Sequence, residues 1–227
     1  MSITLNSCQQ SAVGTFLTFL MNPEQTELVI EGFAGTGKTT LVEYLIKELP
    51  KYEKAAKALG QALTLTGDIG ITATTRKAAR VISESLHTEA KTIHSYLGIV
   101  LKNNYKTGKS ELVVNRDAEP RRNCLIFIDE ASFIDSALQK MIRELTPTCK
   151  IVFMGDPCQL LPRDCDTSPV FGGDIPTVKL TTVMRNQGAV EALAAQYRET
   201  VLTGVFKPPA VNGKEVIHLD GDTFQRM

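Results

Sequence analysis

Neither sign of charge is in excess in this sequence. Lysine and arginine together number 25, and so do aspartate and glutamate, over 227 residues. A polybasic tail is thereby excluded, and any contact with a polyanion must come from a local patch. No run approaches the roughly 18 consecutive apolar residues that a membrane-spanning helix needs. The first charged residue is Glu24, so the N-terminus lacks the basic start of a secretory signal. Five cysteines form an odd set without a C-x-x-C pair. That argues against a disulfide framework and a structural zinc site, and it fits reduced thiols in a cytoplasmic protein. No internal repeat or low-complexity segment interrupts the chain. What is present is ordinary globular composition, 43% apolar, enough for one domain with or without a small appendage.

The order of patterns is alternating. Residues 7–21 place Val13, Phe16, Leu17 and Leu20 at helical spacing, which predicts an amphipathic helix. ELVIEG (27–32) predicts a strand. TTLVEYLIKEL (39–49) predicts a helix ended by Pro50, and KYEKAAKALGQAL (51–63) a separate polar helical stretch. IGITATT (69–75), CLIFIDE (124–130) and KIVFMGD (150–156) read as further strands, with a weaker one in TVKLT (177–181). Helices are expected over 76–86 and 136–145. The strands are apolar at consecutive positions, as strands covered on both faces are. The fold class is therefore α/β, a parallel sheet with helices on both faces. Residues 98–115 break the rhythm: two β-favouring runs flank a Lys-Thr-Gly-Lys turn, the signature of an inserted β-hairpin. Around it, residues 102–122 hold six basic and three acidic side chains. The last residues, 215–227, suggest a strand, a Gly-Asp turn and a helix cap at Asp222 or Thr223 with little helix behind it, as at the start of a further domain.

Four segments carry chemistry. GFAGTGKT (32–39) fits G-x-x-x-x-G-K-[ST] between a strand and a helix. Gly35 and Gly37 let the backbone curl so that its N–H groups face phosphates, and the helix N-terminus adds positive potential. Lys38 reaches the β- and γ-phosphates, and the Thr39 hydroxyl helps to hold Mg²⁺. Thr36 and Thr40 complete the nucleotide-contacting set. LIFIDE (125–130) delivers Asp129 and Glu130 to the carboxyl edge of the sheet, where open α/β folds bind ligands. There Asp129 suits Mg²⁺ and Glu130 suits activation of an attacking water. Alone, the pair would serve equally as a helix cap. In MGDPCQLLP (154–162), Gln159 has an amide that can bond both a phosphate oxygen and a carboxylate. Arg185 follows the weak fifth strand, where a guanidinium could reach a γ-phosphate or form a surface ion pair.

The ordered set resembles the first RecA-like domain of superfamily 1B DNA helicases. LNSCQQSAV (5–13) is similar to the adenine-sensing Q motif, with Gln9 in the glutamine position. GFAGTGKT and IDEAS (128–132) match motifs I and II. TATTRKAAR (72–80) resembles motif Ia, KTIHSYLGI (91–99) the next DNA-contacting segment, GDPCQLLP motif III, and LTTVMRNQG (180–188) the segment of the γ-phosphate arginine. Motif Ia departs in having Thr75 where relatives often carry histidine, and motif III departs in ending Leu-Leu-Pro-Arg-Asp (160–164) rather than the more usual Leu-Pro-Pro-Val.

The resemblance implies a P-loop NTPase core: ATP and Mg²⁺ as cofactors, Lys38, Glu130, Gln159 and Arg185 as catalytic groups, and Gln9 as the adenine reader. It implies DNA contacts at Thr74, Thr75, Arg76, Thr92 and His94. It divides the chain into a discontinuous ATPase domain (1–97 and 116–203), an inserted strand-separating hairpin (98–115) and the start of a second domain or linker (204–227). The expected function is the N-terminal half of an ATP-dependent 5′→3′ helicase on single-stranded or forked DNA, in replication, repair or recombination. A second RecA-like domain would act in cis or in trans. Nothing resembles motifs IV to VI. A stand-alone nucleotide- and DNA-binding module or loader without motor activity is the alternative, and another P-loop NTPase such as a kinase is a weaker one.

Overall fold

The computed structural model describes residues 3–58, 60, 68–104, 109–159, 168–184 and 189–208. The chain divides into two compact units, residues 1–182 and 183–227.

The first unit begins with α1 (Ser7–Met21), entered through a capping box in which Asn6 and Gln9 bond each other's backbone N–H. Then come β1 (Glu27–Gly32), α2 (Lys38–Ala58), β2 (Ile69–Ala73) and α3 (Arg76–Leu86). The short β3 (Lys91–Thr92) and α4 (Ile93–Leu97) lead into a hairpin of β4 (Ile99–Asn104) and β5 (Lys109–Val114). The chain returns through β6 (Leu125–Asp129), α5 (Ser136–Leu145), β7 (Lys150–Gly155) and β8 (Thr177–Leu180). Six strands form one sheet in the order β3-β2-β6-β7-β1-β8, all parallel. The hairpin pairs separately and antiparallel, Ile99 opposite Val114. The α/β class and the inserted hairpin expected from the sequence are both present. The hairpin's turn residues 105–108 and the chain end 215–227 lie outside the described residues.

Alternating strand residues feed two cores. Leu28, Ile30, Ile71, Leu125, Phe127, Val152 and Met154 pack with Phe16, Phe19, Leu41, Leu45 and Ile82 of α1, α2 and α3. Val29, Ile126, Ile128, Ile151 and Phe153 pack with Ile93, Leu97, Leu138 and Ile142 of α4 and α5. Both faces are covered, which is why these strands are apolar throughout. Phe16 lies 6.1 Å from Phe127 ring to ring, joining α1 to the middle of the sheet. Truncating such a buried ring costs about 3–5 kcal/mol. The buried face of α1 is Gln9, Ala12, Phe16, Phe19 and Leu20, turned slightly from the expected one, with Val13 and Leu17 at its margin.

One helix boundary is corrected. The helix expected to end at Pro50 continues to Ala58 as α2, with Pro50 inside it, so 39–49 and most of 51–63 are one element. Pro50 is exposed, and the buried stripe Leu41, Leu45, Leu49 and Ala56 continues past it. Packing along that stripe outweighs the one hydrogen bond that proline removes. Three strands also end earlier than expected, at Ala73, Asp129 and Gly155, and β8 ends at Leu180. In each case the next residues turn to build the edge described below.

Lys150, which the sequence marks only as the start of a strand, is 4% exposed. Its Nζ donates to the carbonyl oxygens of Phe19, Asn22 and Gln25. It thereby caps the end of α1 and secures the turn into β1. In the second unit, α6 (Ala189–Thr203) is followed by a segment to which Gln196 Nε2 donates, at the carbonyls of Lys207 and Pro208. No helix among the described residues is long and apolar enough to cross a membrane.

Candidate functional site: the carboxyl edge of the sheet

Every strand of the parallel sheet ends on the same edge, so the loops after β1, β2, β6, β7 and β8 form one row. The loop after β1 is the phosphate-loop motif. Gly35 and Gly37 have φ of 84° and 81°, a conformation glycine adopts without strain. A Cβ at Gly37 would meet Gln9 Nε2 at 2.6 Å. The motif's backbone thus curls as the glycine positions require. Thr36 is buried, and its hydroxyl donates to Phe33 O at 2.9 Å, closing the loop from inside. Lys38 Nζ donates to the loop's own carbonyls, Gly32 O at 2.6 Å and Phe33 O at 3.0 Å. The ammonium thus lies folded over the loop, the place from which it can be drawn to phosphate oxygens. Thr39 and Thr40 sit in the first turn of α2, where N–H groups lack intrahelical acceptors.

Gln9 is 3% exposed although it sits near the start of α1. Its Nε2 donates to Gly37 O at 3.2 Å, and its Oε1 accepts from Asn6 N. These bonds use one of its two N–H donors and one of its two acceptor positions, joining α1 to the phosphate loop. Beside it is a group the sequence reading missed. Cys8 Sγ lies 3.1 Å from Thr181 Oγ1 and 3.4 Å from Thr182 Oγ1, just past β8. These hydroxyls bring the Cys8 thiol down to about 6. Only the folded pairing of α1 with β8 could reveal it.

One strand, β7, separates β1 from β6. This brings the acidic pair at the end of β6 near the phosphate loop, close enough for the Lys38 charge to act on Asp129. Burial pushes the Asp129 carboxyl above the ordinary aspartate range. The hydrogen bond from Glu130 N–H (2.9 Å) and the Lys38 charge oppose that shift. A largely buried carboxylate at this place suits a divalent cation, which would offset its desolvation. Glu130 has φ 54° and ψ 41°, the left-handed region, and it lacks a capping bond to the 3-10 turn that follows. Asp135 is the residue that caps α5, so the helix-cap reading of the acidic pair is not met. A non-glycine residue held with positive φ is costly and needs support from its surroundings. The turn between β2 and α3 supplies it: Thr74 Oγ1 donates to Glu130 O at 2.9 Å, and Thr75 Oγ1 to Glu130 Oε2 at 2.8 Å.

After β7, Asp156 is buried and its Oδ1 accepts from Cys158 N. Gln159 is exposed, its N–H bonded to Asp156 O at 3.1 Å. Arg185 lies outside the described residues.

Toward the β3 side, α3, β3 and α4 line a groove of about 520 Å³. Arg76, Arg80, Lys91, Thr92 and Ser95 face it, and Arg80 is paired with Glu84 at 2.8 Å. Of the expected DNA contacts, Arg76 and Thr92 line this groove. Thr74 and Thr75 turn their hydroxyls toward Glu130 instead. The Thr92 hydroxyl also caps α4 through Ser95 N. His94 is half-buried beside Asp135, and burial lowers its imidazole below the usual value while Asp135 works the other way.

Comparison with known proteins decides the family. The family model of the AAA domain matches residues 18–164. The chain belongs to the AAA domain family. Among curated proteins, this AAA domain is 31% identical over 181 residues to the ATP-dependent DNA helicase dda of Enterobacteria phage T4, covering 75% of the chain and 37% of that protein. It is 31% identical over 160 residues to the ATP-dependent RecD2 DNA helicase of Deinococcus radiodurans, covering 70% of the chain and 19% of that protein. The chain thus spans less than two fifths of either relative. Among solved structures it matches the Pif1 helicase of Candida albicans with a TM-score of 0.55 at 20% identity, over 87% of the chain and 44% of that protein. Pif1 from a Bacteroides species, in complex with ADP-AlF4, matches with a TM-score of 0.53 at 18% identity, over 87% of the chain and 47% of that protein. These structural matches establish the fold. The expected likeness to the first RecA-like domain of superfamily 1B helicases is met in sequence and in architecture.

Proposed function

We propose that this AAA domain is the nucleotide-binding half of an ATP-dependent DNA helicase that moves 5′→3′ on single-stranded or forked DNA. The observation that carries the reading is the common edge. A phosphate loop, a half-buried acidic pair and a basic groove follow one another along the ends of β1, β6, β2 and β3. Such an edge can couple phosphate chemistry to a strand lying on the same side of the sheet.

ATP is the substrate. The backbone of residues 35–40 receives its phosphates, and Lys38 exchanges its own-loop carbonyls for phosphate oxygens. Gln9 reads the adenine with the donor and acceptor positions that Gly37 and Asn6 leave open. Thr39 and Asp129 would hold Mg²⁺, which would neutralise charge on the phosphates. Glu130 orients the attacking water and takes its proton. Gln159 and Arg185 report the γ-phosphate. Single-stranded DNA lies in the groove against Arg76 and Thr92, with Thr74, Thr75 and His94 behind it, and the contacts go to sugar and phosphate. Residues 1–97 and 116–203 form the ATPase domain, 98–115 the strand-separating hairpin, and 204–227 lead into a second RecA-like domain supplied in cis or in trans.

The test is nucleotide affinity and single-turnover hydrolysis for two variants. Lys38→Ala should lose binding and turnover together, because ground state and transition state share that charge. Glu130→Gln should bind like wild type and lose turnover by about 10²-fold or more. Wild-type turnover by Glu130→Gln would remove Glu130 from the base role.

A further inference from the structure

The hairpin meets the rest of the first unit at α4. Its first strand leaves α4 through Gly98, whose φ is 68°, a conformation glycine adopts without strain. Its second strand ends at Val114, and Asn115 N donates back to Gly98 O at 2.8 Å. A Cβ at Gly98 would meet Ala118 Cβ at 2.6 Å, so the returning segment lies directly against the exit from α4. Three residues on, Arg121 reaches α4 itself. Its guanidinium carbon lies 4.9 Å from the centre of the Tyr96 ring, and Nη2 donates to Tyr96 O at 3.3 Å. Its backbone N–H donates to Leu145 O at 2.7 Å, at the end of α5. The Tyr96 ring rests in turn on β2, where a Cβ at Gly70 would meet its Cζ and Oη at 2.8 Å. Gly70, Tyr96 and Arg121 are thus stacked from the sheet outward, and the outermost member belongs to the chain returning from the hairpin.

The same helix borders two cavities. Ser95 lines both the basic groove and a cavity of about 400 Å³ at the hairpin base, which Tyr96, Asn115, Asp117, Glu119 and Arg121 also line. We infer that Arg121 is a positioning residue: stacked on Tyr96, it seats the hairpin at the end of the groove, so that a strand lying in the groove presents its duplex junction to the hairpin at a fixed place. The inference rests on the reading above that the groove takes DNA and the hairpin separates strands. An arginine among the basic side chains of 102–122 could instead be a plain phosphate contact. Here the guanidinium is engaged with the ring and the carbonyl of Tyr96, and two carboxylates line the same cavity. That charge balance disfavours a phosphate there. A planar guanidinium lies on a ring and donates in its own plane at once, which an ammonium cannot do. The clamp therefore depends on the Arg121–Tyr96 pair and not on positive charge alone.

The experiment uses the 227-residue chain with two probes, oligothymidylate and a duplex carrying an oligothymidylate 5′ tail with 2-aminopurine in its first base pair. Fluorescence of that base reports unstacking at the junction, a contact that needs no turnover. Wild type should bind both probes and raise the junction signal. Arg121→Gln should lose most of that signal while keeping wild-type affinity for oligothymidylate and for ATP. Hydrogen exchange at the Asn115 amide should quicken by about fivefold as the hairpin base opens more often. Arg121→Lys keeps the charge but loses the planar stack, and it should follow Arg121→Gln. Tyr96→Leu removes no charge and should also follow it, whereas Tyr96→Phe keeps ring and carbonyl and should behave as wild type. The double variant Arg121→Gln with Tyr96→Leu should lose no more than either single one. A junction signal retained in Tyr96→Leu overturns the inference and leaves the DNA reading standing. So does an Arg121→Gln that binds oligothymidylate more weakly with a shallower salt dependence, which would make Arg121 a phosphate contact. A wild-type chain that binds oligothymidylate without any junction signal overturns both the inference and the strand-separating role of the hairpin.

Discussion

Asp129 shows how a single residue can be set against the stability of its own fold. Its carboxyl is largely buried at the end of β6, and burial raises its proton affinity in the folded state. An unfolded chain loses that proton near the ordinary aspartate value of 3.8. Between there and the raised folded value, the native state holds a proton that the unfolded state has released. Stability therefore falls as pH rises through that window, and at neutral pH the full cost is present. Asp129→Asn keeps the shape and an acceptor for Glu130 N–H while removing the charge. Without nucleotide or cation it should raise the melting temperature at pH 7. The gain should vanish below about pH 3.8, where the wild-type carboxyl is protonated in both states. Calorimetry at the two pH values checks this. A variant less stable than wild type at pH 7 would mean that Lys38 and the Glu130 N–H already compensate the carboxylate without a cation.

At the scale of elements, α2 shows how tertiary packing extends a helix that the sequence would divide. Pro50 leaves the Ile46 carbonyl without its usual N–H partner, yet Leu49 and Ala56 bury the same face on either side of it. Pro50→Ala should restore that bond at an exposed position and stabilise the chain by about 1–3 kcal/mol, less a few tenths for the freer unfolded chain. The urea midpoint checks it, and an unchanged midpoint would mean that α2 is already broken at 50 in solution. The other elements were legible because pattern and burial agree. Strands 27–32, 125–129 and 150–155 are apolar runs ended by glycine or acid, and α3 and the hairpin fall where their patterns place them. Of the site, the phosphate loop was legible from glycine spacing alone, and the acidic pair from its place after an apolar strand. What could not be read are contacts between segments far apart in sequence. Thr75 with Glu130 spans 55 positions, Cys8 with Thr181 spans 173, and Lys150 with Phe19 spans 131. No local spacing encodes such pairs, because the sheet order that creates them skips along the chain.

At the scale of the whole molecule, the described residues hold one six-stranded parallel sheet with one row of site loops, while the chain covers 37% of the dda helicase and 19% of RecD2. A motor of the proposed kind works by two such domains closing on ATP and reopening after hydrolysis. The arginine that reaches across to the transferring phosphoryl group is worth about 10³–10⁵ in rate in other NTPases. Arg185, within the same chain, cannot both sense the γ-phosphate and replace it. In the proposed reading the groove beside α3 gives one grip on a strand, and directional movement needs a second grip to alternate with it. The 227-residue chain by itself should therefore bind oligothymidylate with a clear salt dependence, through the phosphates. It should hydrolyse ATP slowly, with little response to DNA, and it should unwind nothing. A forked-duplex assay run beside hydrolysis and salt-titrated strand binding on this chain checks all three. Robust unwinding would defeat the two-domain reading, unless a chain concentration series showed that a second copy supplies the missing arginine and the second grip.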